Sequence, residues 1–325
     1  MAVTGSGTQA DPFIVHSYTE FISLSAHSPI SGTEAVYIKW FDEPDQVLDC
    51  NTYGTEFRWD EFTTKHPSSE GSNTFYIDLN GATIKNFLIA PDKTMFNPKG
   101  YANGHTCKME VYNGSFRNVF MGSATSKVCG DYVEFHDVSM SVNFVGCTSS
   151  PFSGNGNVVI DNSALYLVGS VLSLPVMTGC IVSDTDIELY ISNPNSQFIF
   201  TGCTITDCRI QGKISGTIHR QGNYPSFYFV ILAYNSNGVQ TGDTVMTNCV
   251  VDIDFSEATP DWTGATIFIY YPENGATLNT NVFCNSHWTP NYGMPSDWNY
   301  MTHEQIRNGD YLNSHGFTVV EVVGG

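Results

Sequence analysis

Two successive segments decide the fold of this chain: NSALYLVGSVLSLPVMTGCIVS at positions 162–183 and DTDIELYISNPNSQFIFTGCTIT at positions 184–206. Each opens with Asn or Asp, then two small or polar residues and an apolar residue. The tetrapeptide recurs with spacings of 24, 25, 22, 23 and 45 residues, as Asn113-Gly-Ser-Phe116, Asp137-Val-Ser-Met140, Asn162-Ser-Ala-Leu165, Asp184-Thr-Asp-Ile187, Asp207-Cys-Arg-Ile210 and Asp252-Ile-Asp-Phe255. A fixed period of roughly 20 to 50 residues is typical of repeat architectures.

The last spacing is about twice the period, which predicts a missing turn near the apolar run at 227–233. Asn80-Gly81 begins the series 33 residues before Asn113. A second marker has spacings of 33, 23 and 46 residues, as Gly146-Cys147, Gly179-Cys180, Gly202-Cys203 and Asn248-Cys249. We therefore expect Cys180 to lie one coil from Cys203, in an internal ladder of thiols.

Each repeat is predicted to be a strand, a tight turn and another strand. Asn and Asp suit the turn because they tolerate left-handed backbone angles and bond their own main chain. One such coil cannot bury its apolar side, but stacked coils form continuous parallel sheets around a filled interior. The sequence therefore predicts an all-β parallel solenoid over residues 35–284, with about nine or ten coils and a length of roughly 45 Å. A β-sandwich would explain short strands and turns, but not a constant period.

The open ends of a solenoid expose strand edges that proteins usually cover. The capping box Ser17-Tyr-Thr-Glu20 predicts a short helix from Tyr18 to Leu24 at the amino end. At the carboxyl end, a second helix is expected to start at 302–306 and to be interrupted or ended by Gly309 and Asn313, before a final strand at 317–323. The predicted division is an amino-terminal cap at 1–34, the solenoid at 35–284 and a carboxy-terminal cap at 285–325.

The composition excludes several classes of protein. The formal charge is −19, with 13 Lys and Arg against 32 Asp and Glu, so the chain is not expected to bind nucleic acid. No apolar run approaches the length of a membrane-spanning helix. Residues 1–7 contain neither a basic nor an apolar signal region, so we expect no cleaved secretion signal.

The nine cysteines are odd in number and form no Cys-x-x-Cys pair, which argues against a disulfide framework and a zinc site. We expect them to be small buried hydrophobes.

The start of the chain resembles right-handed parallel β-helices of the pectin-lyase-like superfold, through Gly5-Ser-Gly-Thr8, Asp11-Pro-Phe-Ile-Val15 and the helix that begins at Tyr18. The segments at 302–308, 311–313 and 316–317 are similar to the ends of bacterial surface and phage-borne β-helix proteins. The resemblance implies a single right-handed parallel β-helix in a virion, made in the bacterial host cytoplasm without a signal peptide. It also implies a homotrimer and other virion proteins as partners.

Candidate catalytic residues lie in one pair of repeats. If Ile187, Leu189 and Ile191 point inward, Asp186, Glu188 and Tyr190 point outward together. Aligning Asp184 with Asp207 places Arg209 beside Asp186, Gln211 beside Glu188 and Lys213 beside Tyr190. Two carboxylates and an Arg could cleave a glycoside. A solvated ion pair of little energetic weight is the favoured interpretation. The paired-Asp and Gly-His-Gly patterns of hydrolases with this fold are missing.

Aromatic residues are densest at 287–300. Exposed rings suit sugars or a protein partner, so the candidate binding residues are Trp262, Trp288, Tyr292, Trp298 and Tyr300, with Tyr270 and Tyr271 nearby. The alternative is that Trp288 and Trp298 plug the end of the solenoid. Asp252, Asp254 and Glu257 form an acidic group, for which surface decoration is favoured over a Ca²⁺ site. No metal or other cofactor is predicted.

The leading hypothesis is a bacteriophage virion structural protein, of the tail-spike, fibre or head-decoration type, that recognises a host surface or glycan. A polysaccharide lyase or glycoside hydrolase on the same scaffold is the alternative, and a bacterial surface adhesin is the third. Fold alone does not decide among them.

Overall fold

The structure is a computed structural model. It describes residues 3–26, 35–54, 56–65, 73–99, 107–146, 149–170, 175–194, 199–218, 226–231, 244–254, 256–260, 266–270, 279–280, 283–285, 299–301, 305 and 308–314. Strands dominate these residues, with two short α-helices, α1 (Tyr18–Ser23) and α2 (Gly309–Ser314), and two short 3-10 helices, Leu24–Ala26 and Cys50–Tyr53.

In the first half of the chain the strands are β1 (Phe13–Val15), β2 (Ala35–Trp40), β3 (Val47–Asp49), β4 (Arg58–Trp59), β5 (Phe62–Lys65), β6 (Asn73–Asp78), β7 (Thr83–Ile89), β8 (Thr94–Lys99), β9 (Cys107–Met121), β10 (Lys127–Cys129), β11 (Val133–Val145), β12 (Phe152–Asp161) and β13 (Ala164–Ser170). In the second half they are β14 (Met177–Ser183), β15 (Asp186–Ser192), β16 (Phe200–Thr201), β17 (Thr204–Thr206), β18 (Arg209–Ile218), β19 (Ser226–Ile231), β20 (Val245–Thr247), β21 (Val250–Asp254), β22 (Ala258–Pro260), β23 (Thr266–Tyr270), β24 (Asn279–Thr280), β25 (Phe283–Asn285) and β26 (Asn299–Met301).

The strands pair in parallel and form three stacks that wind around one interior. Stack 1 contains β1, β2, β6, the first halves of β9 and β11, the second halves of β12 and β14, β17, β20 and β24. Stack 2 contains β3, β7, the second halves of β9 and β11, β13, β15, β18, β21, β25 and β26. Stack 3 contains β5, β8, β10, the starts of β12 and β14, β16, β19 and β23. The predicted all-β parallel β-helix is confirmed.

The corner between stack 1 and stack 2 is made by the repeated Asn or Asp. These residues have left-handed backbone angles, with φ between 44° and 59°, at Asn80, Asn113, Asp137, Asn162, Asp184, Asp207 and Asn248. Side-chain amides also bridge neighbouring corners. The amide of Asn162 donates to the carboxylate of Asp137, and that of Asn248 donates to Asp207 over 3.0 Å. The corner chemistry read from the sequence is therefore confirmed.

The prediction of a missing turn between Asp207 and Asp252 is wrong. Arg209 pairs directly with Val250, so one enlarged coil joins the two corners, and the corner residue is Asn248. Asp252 lies within β21, and β19 is the stack 3 strand of that same coil. The tetrapeptide spacing is misleading here because it uses Asp252 as the corner. The true corner is Asn248-Cys249, which the sequence aligns instead with the second marker, Gly202-Cys203.

The interior is filled by aliphatic and aromatic side chains and by thiols. Ile181 pairs with Thr204, which places Cys180 over Cys203 as predicted, whereas Cys249 follows Cys208 rather than Cys203. The seven cysteines of the described residues for which burial is given are all buried. Burial raises the pKa of Cys129 to about 12, which disfavours the reactive thiolate. The described thiols of this group behave as core residues, as expected.

The amino end is covered by α1. Ser17 is its N-cap and accepts a hydrogen bond from the backbone N–H of Glu20 over 3.3 Å. Phe21 stacks on Phe62 with ring centroids 4.3 Å apart, so the helix covers the aromatic end of the interior. At the other end Gln305 is helical, Asn308 is not, and α2 begins at Gly309 and ends at Ser314, one residue after Asn313. The helical backbone is therefore interrupted just before Gly309, as predicted, and the side chain of Asn308 starts the new helix by accepting the N–H of Tyr311 over 3.0 Å.

The final strand expected at 317–323 lies outside the described residues, and the division into 1–34, 35–284 and 285–325 stays a prediction. Within the part of the chain that the structure describes, no helix is long and apolar enough to cross a membrane.

Candidate functional site

The predicted pairing of Asp186 with Arg209 is present on the outer side of stack 2. Asp186 and Arg209 are direct register partners, and Arg209 donates from Nε and Nη2 to the two carboxylate oxygens over 2.9 and 3.0 Å. The side chain of Asp186 is only 6% exposed, so the expectation of a solvated ion pair is wrong for this residue. Burial raises the pKa of Asp186, even though the charge of Arg209 by itself lowers it. The pair is a buried, bidentate structural contact.

Glu188 lies in the next outward position and belongs to a different set of contacts. Gln211 donates from Nε2 to Glu188 Oε1 over 2.9 Å, and Tyr190 donates from its hydroxyl to Oε2 over 3.4 Å. Lys213 Nζ pairs with Glu257 Oε1 at 2.5 Å rather than with the carboxylate of Asp186 or Glu188. The sequence correctly predicts which residues are neighbours. Their contacts divide between a buried pair and an open hydrogen-bonded group.

Aromatic rings lie beside Glu188 on the same outer surface. Tyr166 and Tyr190 are 43% and 39% exposed, and their ring centroids are 5.3 Å apart. Tyr166 pairs in register with Glu188, and the row of Tyr190 leads through Val168 and Asn143 to the exposed Phe120. We call this surface the aromatic face, defined by Phe120, Tyr166, Glu188, Tyr190 and Gln211. It places ring faces and hydrogen-bonding groups side by side on a rigid sheet.

The aromatic segment predicted as a binding site lies largely outside the described residues. This applies to Trp262, Trp288, Tyr292, Trp298 and Tyr271. The backbone of Tyr300 lies in β26 and pairs with Cys284, and that of Tyr270 lies in β23 and pairs with Ile231.

The acidic group at 252–257 is dispersed among separate contacts. Asp252 is buried on the outer side of β21 and pairs in register with Gln211. Asp254 accepts the N–H of Ser256 over 2.8 Å, and Glu257 pairs with Lys213. Asp254 and Glu257 are exposed and agree with the favoured interpretation of surface decoration, whereas the buried Asp252 does not.

A second polar cluster, which sequence reasoning missed, lies on the outer side of stack 1. Glu110 and Glu134 are register partners on neighbouring coils, and Lys108 Nζ bridges their Oε1 atoms at 2.9 and 2.7 Å. His136 Nε2 lies 3.3 Å from Glu134 Oε2, and His136 Nδ1 lies 3.7 Å from Asp161 Oδ2. We call these five residues the Glu–His cluster.

Tyrosines flank the Glu–His cluster. The rings of Tyr37 and Tyr76 stack with centroids 4.6 Å apart, and Tyr112 lies 6.4 Å beyond Tyr76. Tyr76 is the register partner of Glu110, and Tyr112 is that of His136. Burial, followed by the charge of Glu110, raises the pKa of Tyr112. The cluster is therefore bordered by rings on one side.

One signal in the sequence could have found this cluster. Glu110 and Glu134 each stand three residues before a corner, at Asn113 and Asp137, so the repeat itself aligns them. The nine histidines are dispersed along the chain, and His136 does not stand out until it is placed on its coil.

The fold and these surfaces define a parallel β-helix protein with polar and aromatic outer faces. No protein-family model matches the chain, and no curated protein matches it. Among solved structures, it is similar to a crystal structure of a Bacteroides ovatus protein provisionally described as an immunoglobulin A1 protease. The TM-score is 0.48 and the identity 13%, over 95% of this chain and 89% of that one. That likeness passes no function to this chain, and the comparisons assign it no enzymatic activity.

Proposed function

We propose that this chain is a structural and adsorption protein of a bacteriophage virion, whose aromatic face binds a glycan of the host surface. The observation that carries the glycan part is the pair of exposed rings of Tyr166 and Tyr190 beside Glu188 and Gln211. Pyranose rings present C–H groups that pack on aromatic faces, and hydroxyls that bond carboxylate and amide groups. The aromatic face offers both on one surface.

The regular spacing of the face supports an extended ligand. Neighbouring coils are about 4.8 Å apart, a distance comparable to one sugar residue of a linear chain. Phe120 lies three coils from Tyr190 along one register row, with Asn143 and Val168 between them, so the aromatic face extends over several coils. A face of that length suits a polymer better than a single small molecule.

The virion part of the proposal is supported by the resemblance and by the thiols. Six buried cysteines of the described residues, at positions 50, 129, 180, 203, 208 and 249, are free thiols, which suits folding in a reducing bacterial cytoplasm. Other virion proteins are the proposed partners, and a homotrimer is the proposed assembly. Sedimentation equilibrium tests the assembly, since a trimer has three times the mass of the single chain.

The glycan proposal is tested on an array of bacterial capsular and lipopolysaccharide glycans. We expect the full chain to bind a subset of them, and Tyr190→Ala to weaken that binding by about five- to thirtyfold, because one stacked ring contributes on the order of 1–2 kcal/mol. Tyr53→Ala is the matched control, since Tyr53 is also exposed but lies outside the aromatic face. Equal binding by both variants, or no bound glycan, overturns the glycan proposal.

The virion proposal and the enzyme alternative need separate measurements. Antibody labelling of intact phage particles is expected to locate the chain on the particle, and labelling of bacterial cells instead would favour the adhesin. Incubation with the bound glycans is expected to release no reducing-end or unsaturated products. Their release would establish the depolymerase alternative.

A further inference from the structure

The Glu–His cluster combines the ligand types of a transition-metal site. One carboxylate oxygen from Glu110, one from Glu134 and one ring nitrogen from His136 lie within 4.8 Å of one another. The three residues project from the same outer face of two adjacent coils, and β9 and β11 hold their backbones in continuous register. The spacing is that of side chains that can converge on a common ion with small rotamer changes.

The charge of the cluster is not balanced by its own cation. Glu110, Glu134 and Asp161 bring three carboxylates, whereas Lys108 brings one ammonium group. The side chains of Glu110 and Glu134 are only 19% and 20% exposed, so water screens their repulsion incompletely. A divalent cation between them would relieve more repulsion than a single ammonium group.

His136 is oriented as a metal-bound histidine would be. Its Nε2 lies 3.3 Å from Glu134 Oε2, and its Nδ1 lies 3.7 Å from Asp161 Oδ2. Asp161 is itself held by Ser183, which donates from Oγ to Asp161 Oδ1 over 2.7 Å. A carboxylate behind the second ring nitrogen fixes the orientation of metal-ligating histidines and raises their basicity.

Lys108 occupies the position that the ion would take. It reaches the carboxylates from two residues before Glu110 on the same strand, and its side chain is 34% exposed. The ammonium group can therefore move outward into solvent without disturbing the sheet. In the metal-free protein it serves as the replaceable counter-ion of the cluster.

We propose that Glu110, Glu134 and His136 bind a divalent transition-metal ion of the Zn²⁺ class in exchange for the Lys108 ammonium group. Two oxygens and one imidazole nitrogen suit Zn²⁺, which leaves a fourth position for water or a ligand. Ca²⁺ is disfavoured because it takes six to eight oxygen ligands. The sequence did not predict this site, since its ligands follow no metal-binding motif and converge only through coil stacking.

The test is a titration of the chelator-washed full chain with ZnCl₂ by isothermal titration calorimetry. We expect one ion per chain, with affinity weakened at least about tenfold in His136→Ala and in Glu110→Gln, and by about tenfold in Asp161→Asn. Lys108→Met is expected to bind Zn²⁺ more tightly than the unaltered chain, because the competing ammonium group is gone. Glu257→Gln is the control and keeps the original affinity, because Glu257 pairs with Lys213 and belongs neither to the Glu–His cluster nor to the aromatic face.

Two outcomes overturn the proposal. The first is the absence of Zn²⁺ binding by Lys108→Met, and the second is binding that His136→Ala and Glu110→Gln both leave unchanged. Circular dichroism checks that each variant is folded. If His136→Ala does not fold, Glu110→Gln and the visible spectrum of the Co²⁺-loaded chain decide, because a band characteristic of imidazole and carboxylate ligands is expected.

Discussion

Single residues at the corners determine how each coil turns. Asn and Asp at these positions accept a left-handed backbone that costs other L-residues about 1 kcal/mol or more. Most Asp corners lie next to an Asn, whose amide donates to the carboxylate, as between Asn248 and Asp207. Asp184 and Asp207 are the two consecutive corners at which two carboxylates follow one another. Burial and the charges of Asp207 and Asp161 raise the pKa of Asp184.

This difference gives a prediction for Asp184. We expect Asp184→Asn to raise the free energy of unfolding at pH 7 by up to about 0.5–1 kcal/mol, because the amide removes repulsion and can donate to Asp207. Asp184→Ala is expected to lower it by about 1 kcal/mol, since Ala tolerates φ of 45° poorly. Urea denaturation of the three proteins measures both changes. A less stable Asp184→Asn would contradict the role given to carboxylate repulsion.

At the scale of elements, α1 is held by buried aromatic side chains, of which Tyr18 also carries a titratable group. Tyr18 packs on Phe57 and Trp59 with centroids 4.8 and 4.9 Å away, and its hydroxyl accepts the N–H of Asp60 over 2.7 Å. Burial raises the pKa of Tyr18 to about 12. This contact joins the helix to the first coil, so the titration of one side chain reports on the docking of the cap.

The sign of the pH effect follows from the two states. The unfolded chain loses the Tyr18 proton near pH 10, whereas the folded chain keeps it to about pH 12. The contribution of the protonated Tyr18 to the free energy of unfolding is therefore fully present below pH 10. Up to about 3 kcal/mol of it is lost as the pH rises to 12. Tyr18→Phe is expected to lose about 1 kcal/mol at pH 8 through the Asp60 contact, and to show a shallower decline above pH 10.

Urea denaturation at pH 8, 10 and 11 tests this expectation. Tyr53→Phe serves as the matched control, since that tyrosine is exposed and lies in the same region. Parallel pH profiles for Tyr18→Phe and the unaltered chain would show that the cap does not depend on this phenol.

The sequence predicts elements well where the coils have constant length. The 23-residue step from Asp184 to Asp207 gives the register correctly, and with it the neighbours Asp186 and Arg209. It fails at the enlarged coil, because an insertion changes the spacing but not the corner chemistry of Asn248. Burial is also hidden, since alternation places Asp186 outward without showing that it is covered. The bridge from Lys108 to two glutamates depends on rotamers that a repeat does not encode.

At the scale of the whole molecule, the charge of −19 gains a structural explanation. Part of it comes from the corners, where Asp serves the backbone, and part from outward carboxylates such as Glu110 and Glu134. Like charge along the surface opposes self-association of a molecule built from stacked strands. The excess of acid also requires local compensation, which Arg209 and Lys108 supply at the two polar sites.

The coils contact mainly their neighbours, so stability is expected to be local along the rod. Leu189 is fully buried in β15, between Leu167 and Gly212 of the adjacent coils. We expect Leu189→Ala to cost about 2–5 kcal/mol, because it leaves a cavity in the interior. Hydrogen exchange should then lose protection in β14, β15 and β18, while β6 and β7 keep theirs. Val145→Ala, at a 76% exposed position, is the control and should change neither region. Equal loss of protection in all of these strands would mean instead that the rod opens as one cooperative unit. The hydrogen bonds between neighbouring corners and the stacked interior side chains would then couple its two ends.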